Sequence, residues 1–309
     1  MMKIAFLFSG QGAQYPGMMK DLYETEAAAK GVFEAADSQL GRSVSGLCFD
    51  GAQEELNLTH NTQPCVLAAD LAAAMALKAH GIEPDVTAGF SLGEYAALTF
   101  AGAIPMEDVF SIIQVRADAM QEAVAPGIGA MAALVGGSPE KIEEICAKVN
   151  AGYVVAANYN SPVQTVISGT AEGVDEAIAL AGEEGIRAVK LAVSAPFHCE
   201  LMKPAAMKLA ELFKTGSFAE PTLPVYMNVN AQPLQGAAQI ADLLVQQAMS
   251  PVRWVQTLQN MQAAGVDTFI ECGPGKTLSG LVKKTLKGVK ILRVENQKTL
   301  EETLAALAE

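Results

Sequence analysis

Histidine is the scarcest titratable residue in this chain, with three copies (His60, His80 and His198) among 309 residues. The five cysteines form no Cys-x-x-Cys pair, which argues against a disulfide framework and against a structural zinc site. No uninterrupted run of about 18 or more apolar residues occurs, so no transmembrane helix is expected. The net charge of −13 argues against a nucleic-acid partner, because phosphates require a cationic face. We therefore expect a cytoplasmic protein with no metal, no membrane segment and no nucleic-acid ligand.

Apolar residues make up 50% of the chain and charged residues only 18%, a balance that indicates a folded protein with a large core. Apolar runs of strand length alternate with longer helical patterns, which is typical of a mostly parallel sheet flanked by helices. The predicted strands of this part are Lys3–Phe8, Val86–Phe90, Pro224–Asn228, Thr268–Cys272 and Lys290–Val294, and the predicted helices are Leu67–His80, Leu92–Ala103 and Val109–Val124.

The segment Gly89-Phe90-Ser91-Leu92-Gly93 matches the pattern G-x-S-x-G between a predicted strand and a predicted helix. This context is typical of a nucleophile elbow, in which a sharp turn exposes the serine hydroxyl. The N–H of Leu92, at the helix N-terminus, can donate to a developing oxyanion. The alternative is that Ser91 serves only as a helix N-cap.

A nucleophilic serine needs a base, and only the three histidines can serve. His80 lies at a predicted helix end beside Gly81, where its charge suits the helix dipole. His60 lies in a polar stretch that we interpret as a loop. His198 follows a predicted strand near the junction of two units, where clefts form. By elimination His198 is the best candidate, although a structural role is open for any single histidine.

Arg116 is the only Lys or Arg between Lys78 and Lys141. It falls within the apolar stripe of its predicted helix, which is marked by Val109, Ile113 and Met120. An unpaired buried guanidinium is costly, so Arg116 needs an anionic partner. That partner is either an internal Asp or Glu or the carboxylate of a substrate held by two hydrogen bonds.

Between about residues 130 and 193 the order of predicted elements becomes β-α-β-β-α-β, the signature of a ferredoxin-like unit. We therefore predict an α/β fold with two parts. Residues 1–126 and 197–309 form a large α/β-hydrolase-like domain with a parallel sheet and the nucleophile elbow. Residues 127–196 form an inserted ferredoxin-like subdomain.

Eight short segments, in this order along the chain, match those of a known family: Phe8–Gln14, Thr62–Pro64, Gly89–Tyr95, Gln114–Arg116, Asn158–Gln164, Ala195–His198, Ser250–Trp254 and Glu271–Lys276. On these segments the chain resembles the bacterial malonyl-CoA:acyl-carrier-protein transacylases of fatty-acid synthesis over essentially its whole length. One departure is Phe90, where many relatives carry histidine.

The resemblance implies a role for each matching position. It implies that Ser91 is acylated, that His198 is its general base and that a backbone carbonyl of Gln247 orients the histidine. It also implies that Arg116 binds the malonyl carboxylate. The remaining implied residues are the backbone N–H donors Gln11 and Leu92 of an oxyanion hole and the cleft-lining residues Gln63, Asn160 and Phe197.

The activity implied by this resemblance is ping-pong transfer of malonyl from malonyl-CoA to the thiol of holo-acyl-carrier protein through malonyl-Ser91, without a cofactor. We expect the protein to be a monomer. The alternatives are a serine carboxylesterase or thioesterase, a malonyl transferase of a polyketide pathway, and a catalytically silent module that docks the carrier. The segment Gly273–Arg293 carries six basic and no acidic residues. It is either a solvated helix face or a surface that docks the acidic carrier or the phosphates of CoA.

Overall fold

The structure is a computed structural model that describes residues 2–193 and 195–308. These residues form nine β-strands and fourteen α-helices. The strands are β1 (Ile4–Phe8), β2 (Val86–Gly89), β3 (Gly129–Val135), β4 (Val154–Ser161), β5 (Gln164–Thr170), β6 (Arg187–Lys190), β7 (Val225–Tyr226), β8 (Thr268–Cys272) and β9 (Lys290–Val294). The helices are α1 (Lys20–Thr25), α2 (Ala27–Leu40), α3 (Val44–Asp50), α4 (Gln53–Leu56), α5 (Thr59–Ala79), α6 (Gly93–Phe100), α7 (Met106–Glu122), α8 (Pro139–Lys148), α9 (Ala171–Glu183), α10 (Lys203–Phe213), α11 (Ile240–Met249), α12 (Trp254–Ala263), α13 (Thr277–Thr285) and α14 (Gln297–Ala308).

The larger sheet has five strands in the order β7-β2-β1-β8-β9, and all of its neighbouring strands are parallel. Every residue of β1, β2 and β8 is buried, because helices cover both faces of a parallel sheet and leave no wet side. Parallel strands end at a common edge, so the loops that follow β1, β2 and β8 meet there. This edge is where the candidate site forms.

The smaller sheet has four antiparallel strands in the order β4-β5-β3-β6. This is the arrangement that a β-α-β-β-α-β unit produces, and it confirms the predicted fold class. Alternation along β3 divides its side chains between two layers. Ala132 and Leu134 pack against α8 and α9, whereas Met131 and Ala133 face the opposite side and line the cavity described below.

Helix α5 starts eight residues earlier than the sequence pattern indicates, at Thr59 rather than Leu67. The prediction that His60 lies in a loop is therefore wrong. Pro64 is the cause of the error, since proline removes a helical hydrogen bond and normally marks a helix boundary. Here the carbonyl of His60, four residues before Pro64, instead accepts from Arg42 Nη2 (3.1 Å) and Gln114 Nε2 (3.2 Å).

None of the described helices is long and apolar enough to cross a membrane. Helix α5, with 21 residues, is instead buried along nearly its whole length in the protein core. All five cysteines are free thiols. In residues 2–193 and 195–308 no group of three or more His, Cys, Asp or Glu side chains is arranged to hold a metal ion.

Candidate active site

Ser91 lies at the sharp turn between β2 and α6, with a backbone φ of 55° in the left-handed region. Such a conformation costs a serine roughly 1–3 kcal/mol. Two hydrogen bonds hold it: the Ser91 N–H donates to Asn228 Oδ1 (2.8 Å), and the Ser91 carbonyl accepts from Gln247 Nε2 (2.8 Å). The turn therefore has the geometry of a nucleophile elbow, and its strain is supported from two other elements.

The two glycines of the elbow are required by close backbone packing. A Cβ on Gly89 would lie 1.9 Å from the carbonyl carbon and oxygen of Gly93, and one on Gly93 would lie 2.4 Å from the carbonyl oxygen of Phe8. The neighbouring atoms belong to the backbone and cannot move without distorting the sheet edge. Small residues at both positions let α6 start directly against β1 and β2.

Gly89→Ala is therefore expected to destabilise the protein by at least about 3 kcal/mol, because overpacking against fixed backbone is among the most damaging changes in a core. Urea denaturation measures the change in the free energy of unfolding. Gly31→Ala in α2 is the matched control, since a Cβ there meets nothing within 4 Å. That control is expected to gain about 0.5–1 kcal/mol from helix propensity. Equal stability of the two variants would contradict the packing argument.

His198 lies against Ser91, with Nε2 at 2.8 Å from Ser91 Oγ. Its Nδ1 lies 2.9 Å from the backbone oxygen of Gln247, which can only accept. Nδ1 therefore carries the proton, and the lone pair of Nε2 faces the serine hydroxyl. Burial, and secondarily the charge of Arg116, lower the pKa of His198 to about 4. The imidazole is consequently neutral at neutral pH and able to accept a proton.

Arg116 is 1% exposed and lies beside Ser91. Its Nη2 donates to Ser91 Oγ (3.0 Å) and Gln247 Oε1 (2.9 Å), and its Nη1 donates to Gln63 Oε1 (2.6 Å). Across the described part of the chain, no Asp or Glu forms an ion pair with it. All its hydrogen-bond acceptors are uncharged, and burial lowers its pKa. The internal ion pair left open by the sequence is thus not formed, and the guanidinium can receive an anion.

Two buried residues that sequence reasoning missed connect the elbow to Gln247. Asn228 bridges the turn, since its Nδ2 donates to the Gly89 carbonyl (2.6 Å). Glu94 accepts from the Asn228 N–H (2.5 Å) and from Gln247 Nε2 (3.1 Å). Burial raises the pKa of Glu94 to about 8, and these donors oppose the shift. The available sequence signal was a single acid in the otherwise apolar helix after the elbow; nothing local indicated Asn228.

Gln11 and Leu92 line the same cavity as Ser91. Leu92 follows the nucleophile at the N-terminal end of α6, and Gln11 follows β1 on the neighbouring strand. Neither N–H donates to a protein acceptor among residues 2–193 and 195–308. Two free donors beside a nucleophile are what an oxyanion hole requires.

The cavity has a volume of about 270 Å³. Residues after β1 and β2 form its floor, and the apolar face of the smaller sheet lies opposite. His60 and His80 lie outside it, bonded to Gln121 and Glu26. Among its lining residues, Asn160 has a buried Oδ1 without a partner. The sequence-predicted residues that line it are Gln11, Gln63, Ser91, Leu92, Arg116, Asn160, Phe197 and His198; Gln247 contacts His198 and Arg116 from behind the wall.

Comparison with known proteins identifies the family to which the chain belongs. The model of the family described as "Acyl transferase domain" matches residues 5–304. The chain belongs to the acyl transferase family. This acyl transferase is 47% identical to the malonyl CoA-acyl carrier protein transacylase of Bacillus subtilis (strain 168), in an alignment covering 100% of this chain and 98% of the relative.

Solved structures resemble the acyl transferase equally well. The malonyl CoA-acyl carrier protein transacylase of Clostridium perfringens ATCC 13124 superposes with a TM-score of 0.96 at 43% identity, covering 99% of this chain and 97% of its own. PlMCAT:AntF, a holo type II PKS acyl-carrier protein in complex with its malonyl-transacylase, gives a TM-score of 0.95 at 38% identity, covering 98% of this chain and 99% of the other.

Phe90 is the residue immediately before Ser91 in this acyl transferase. Its ring packs edge-on against Trp254, with ring centroids 5.4 Å apart. Phe90 also lines the cavity and closes over Gly10, whose added Cβ would lie 2.9 Å from the Phe90 carbonyl oxygen. The position therefore contributes packing under the loop that carries Gln11.

Proposed function

We propose that this acyl transferase moves the malonyl group from malonyl-CoA to the phosphopantetheine thiol of holo-acyl-carrier protein, through malonyl-Ser91, and so supplies extender units for fatty-acid synthesis. One observation carries the proposal. Ser91 Oγ lies 2.8 Å from a neutral histidine and 3.0 Å from a buried guanidinium that bonds to no carboxylate within residues 2–193 and 195–308. A nucleophile beside an unpaired cation fits an acyl group that bears its own carboxylate.

In the first half-reaction, His198 Nε2 takes the Ser91 proton while Oγ attacks the thioester carbonyl carbon. The carbonyl electron pair moves onto its oxygen, which the N–H groups of Gln11 and Leu92 stabilise. The intermediate then collapses, the C–S bond breaks, and the CoA sulfur leaves with the proton from His198. Arg116 holds the distal carboxylate throughout, so the carbonyl is delivered to Ser91 in one orientation.

The second half-reaction repeats these steps with the carrier thiol as nucleophile. His198 takes the thiol proton, the sulfur attacks malonyl-Ser91, and the serine leaves with that proton. The relatives named as malonyl CoA-acyl carrier protein transacylases, and the transacylase solved with its carrier, support this choice of acceptor. Gln63, Asn160 and Phe197 are proposed to line the path of the thioester. Lys283 and Lys284, in the last turn of α13, belong to the basic segment that is a candidate docking face.

A serine carboxylesterase or thioesterase is the competing enzyme, since it would use the same elbow with water as acceptor. Its histidine would be expected to pair with Asp or Glu, whereas His198 pairs with a backbone carbonyl. Incubation with malonyl-CoA and holo-acyl-carrier protein separates the two. Malonyl-carrier is expected as the main product, after an adduct of about 86 Da on Ser91 by mass spectrometry. Malonate as the main product would refute the transacylase, and an unmodified Ser91 would favour a docking module.

The pH dependence of Ser91 reactivity is expected to follow the lowered pKa of His198. With a neutral fluorophosphonate, the labelling rate should be flat from pH 8 to about 5.5 and then fall with a midpoint of about 4, because protonation of His198 removes the base. An unshifted histidine would give about 6.5. Rapid pH-jump labelling, followed by return to neutral pH, measures the rate before acid unfolding. A midpoint near 6.5 would contradict the burial argument.

The difference between the pKa of His198 in the folded chain and that of a histidine in the unfolded chain also makes the free energy of unfolding depend on pH. Below about pH 6.5 an unfolded histidine takes up a proton that folded His198 does not bind until about pH 4, so the unfolded state binds more protons in that range. This group therefore makes the fold less stable as the pH falls from about 6.5 to about 4. Above about 6.5 it contributes no pH dependence.

We further propose that residues 1–126 and 197–309 act as one catalytic domain and residues 127–196 as an inserted subdomain, in a monomeric cytoplasmic enzyme that needs no cofactor. The separation of the two sheets supports the boundaries, because the strands of the smaller sheet all lie between Gly129 and Lys190. Sedimentation or light scattering at micromolar concentration tests the monomer.

A further inference from the structure

The side-chain amide of Gln247 lies at the centre of the site and has partners on both of its atoms. Its Oε1 accepts from Arg116 Nη2 (2.9 Å), whereas its Nε2 donates to the Ser91 carbonyl (2.8 Å) and to Glu94 Oε1 (3.1 Å). A primary amide can turn over and exchange its oxygen and nitrogen, so its orientation depends on its neighbours. Here two acceptors on one side select the orientation that presents the oxygen to Arg116.

Glu94 is the one of these two acceptors that belongs to a side chain, so a substitution can change it. It is 0% exposed, and its other oxygen is already held by the backbone N–H of Asn228 at 2.5 Å. A backbone N–H cannot turn over, so the carboxyl group is anchored at one end. Its second oxygen is then directed at Gln247 Nε2. The contacts form a chain of Asn228, Glu94, Gln247 and Arg116 that ends beside the nucleophile.

We propose that Glu94 is a positioning residue for acyl-group selectivity: it keeps the oxygen of the Gln247 amide directed at Arg116 and so holds the guanidinium beside Ser91, where the substrate carboxylate must bind. This inference rests on the proposed malonyl transfer. It assigns to a buried acid, which touches neither substrate nor the reacting atoms, control over which acyl group is accepted.

Glu94→Gln tests the inference with almost no change of shape. The new amide has one oxygen, which the fixed N–H of Asn228 takes, so its NH₂ group faces the NH₂ group of Gln247. Two donors then face each other in a buried place, which costs free energy unless one turns. If the Gln247 amide turns over, its NH₂ group faces the Arg116 guanidinium and its oxygen faces the Ser91 carbonyl. The carboxylate-binding group then loses its acceptor and its position.

The experiment compares kcat/KM for malonyl-CoA and acetyl-CoA in the full-length enzyme. In Glu94→Gln the value for malonyl-CoA is expected to fall by about 10–100-fold, because two buried donors are left facing each other next to Arg116. The value for acetyl-CoA, and the rate of Ser91 labelling by a neutral fluorophosphonate, should both fall by the same, smaller factor. The turned amide removes one donor from the Ser91 carbonyl, whereas His198 is still oriented by the Gln247 backbone.

Glu271→Gln is the matched control. Glu271 is also a buried carboxylate (1% exposed) that accepts two N–H groups, from Leu278 (2.9 Å) and Ser279 (2.8 Å), but it does not contact Gln247. It should lose stability without changing the malonyl-to-acetyl ratio. A selectivity loss of the same size in this control would show that any buried Glu→Gln change loosens the site, and would overturn the positioning role.

A second variant, Gln247→Met, removes the amide itself. It should lose the same selectivity, and adding Glu94→Gln to it should cause less than about 3-fold further loss, since coupled residues are not additive. If the selectivity losses of the two single variants multiplied in the double variant, the inference would be overturned. Full selectivity in Glu94→Gln would overturn it as well. If Glu94→Gln does not fold, the inference is tested by Gln247→Met. Retained malonyl selectivity in Gln247→Met would then overturn the inference. A wild-type enzyme that does not prefer malonyl-CoA would instead refute the proposed function, and the inference with it.

Discussion

Replacing Ser91 with alanine is expected to abolish the malonyl adduct and to slow transfer to the carrier by at least about 10⁴-fold, since loss of a covalent nucleophile removes the whole acyl-enzyme route. His198→Ala should cost a similar factor, and the double variant little more, because the two side chains, 2.8 Å apart, act as one unit. Mass spectrometry of the adduct and steady-state transfer assays measure both effects.

The control for this prediction is Ser138→Ala. Ser138 caps α8 through the N–H of Lys141 and lies away from the cavity, so the variant should lose stability but keep its adduct. Ser91→Ala itself should unfold at nearly the wild-type temperature, because both side chains place a Cβ at the same strained φ of 55°. Malonylation of Ser91→Ala at another residue would refute the assignment of the nucleophile.

Replacing Arg116 with alanine is expected to lower kcat/KM for malonyl-CoA by about 10²–10³-fold, the range for removing one partner of a buried charge pair. Acetyl-CoA has no carboxylate to lose, so its kcat/KM should change little. The preference for malonyl-CoA should therefore collapse, which competition between the two thioesters measures directly. Arg187→Ala is the control, because Arg187 is an exposed arginine on β6 and does not line the cavity that contains Arg116.

The unfolding temperature distinguishes a variant that loses carboxylate binding by Arg116 from a variant that loses its fold. Within the residues that the structure describes, the buried charge of Arg116 has no ionised partner. Arg116→Met, which fills similar space without charge, is therefore expected to unfold at an equal or higher temperature. An inactive but more stable variant would show that the guanidinium is kept for substrate at a cost in stability. If Arg116→Ala kept its malonyl preference, the carboxylate clamp would have to lie elsewhere.

Local patterns carried most of the fold prediction. The strand and turn around Ser91 were predictable because G-x-S-x-G needs small residues where backbones pack within contact distance, as Gly89 and Gly93 do. The β-α-β-β-α-β order predicted the smaller sheet for the same reason, since period and turn chemistry act over a few residues. The start of α5 was mispredicted because proline usually marks a helix boundary, and this rule considers only local sequence. In the folded chain the His60 carbonyl, which Pro64 leaves without a helical donor, accepts hydrogen bonds from Arg42 and Gln114.

By itself the sequence determined which candidate catalytic residues are available. They are Ser91 in a predicted nucleophile elbow, three histidines as possible bases, and Arg116 on the apolar face of a predicted helix. The tertiary structure alone decided which of them meet. Ser91 and His198 are 107 residues apart in the chain and bond at 2.8 Å, and Arg116 reaches Gln247 across 131 residues. Such pairs depend on how helices and sheets pack, which no local spacing encodes. For that reason Asn228, which bonds to the Ser91 turn, and Glu94, which bonds to Gln247, became visible only in the folded chain.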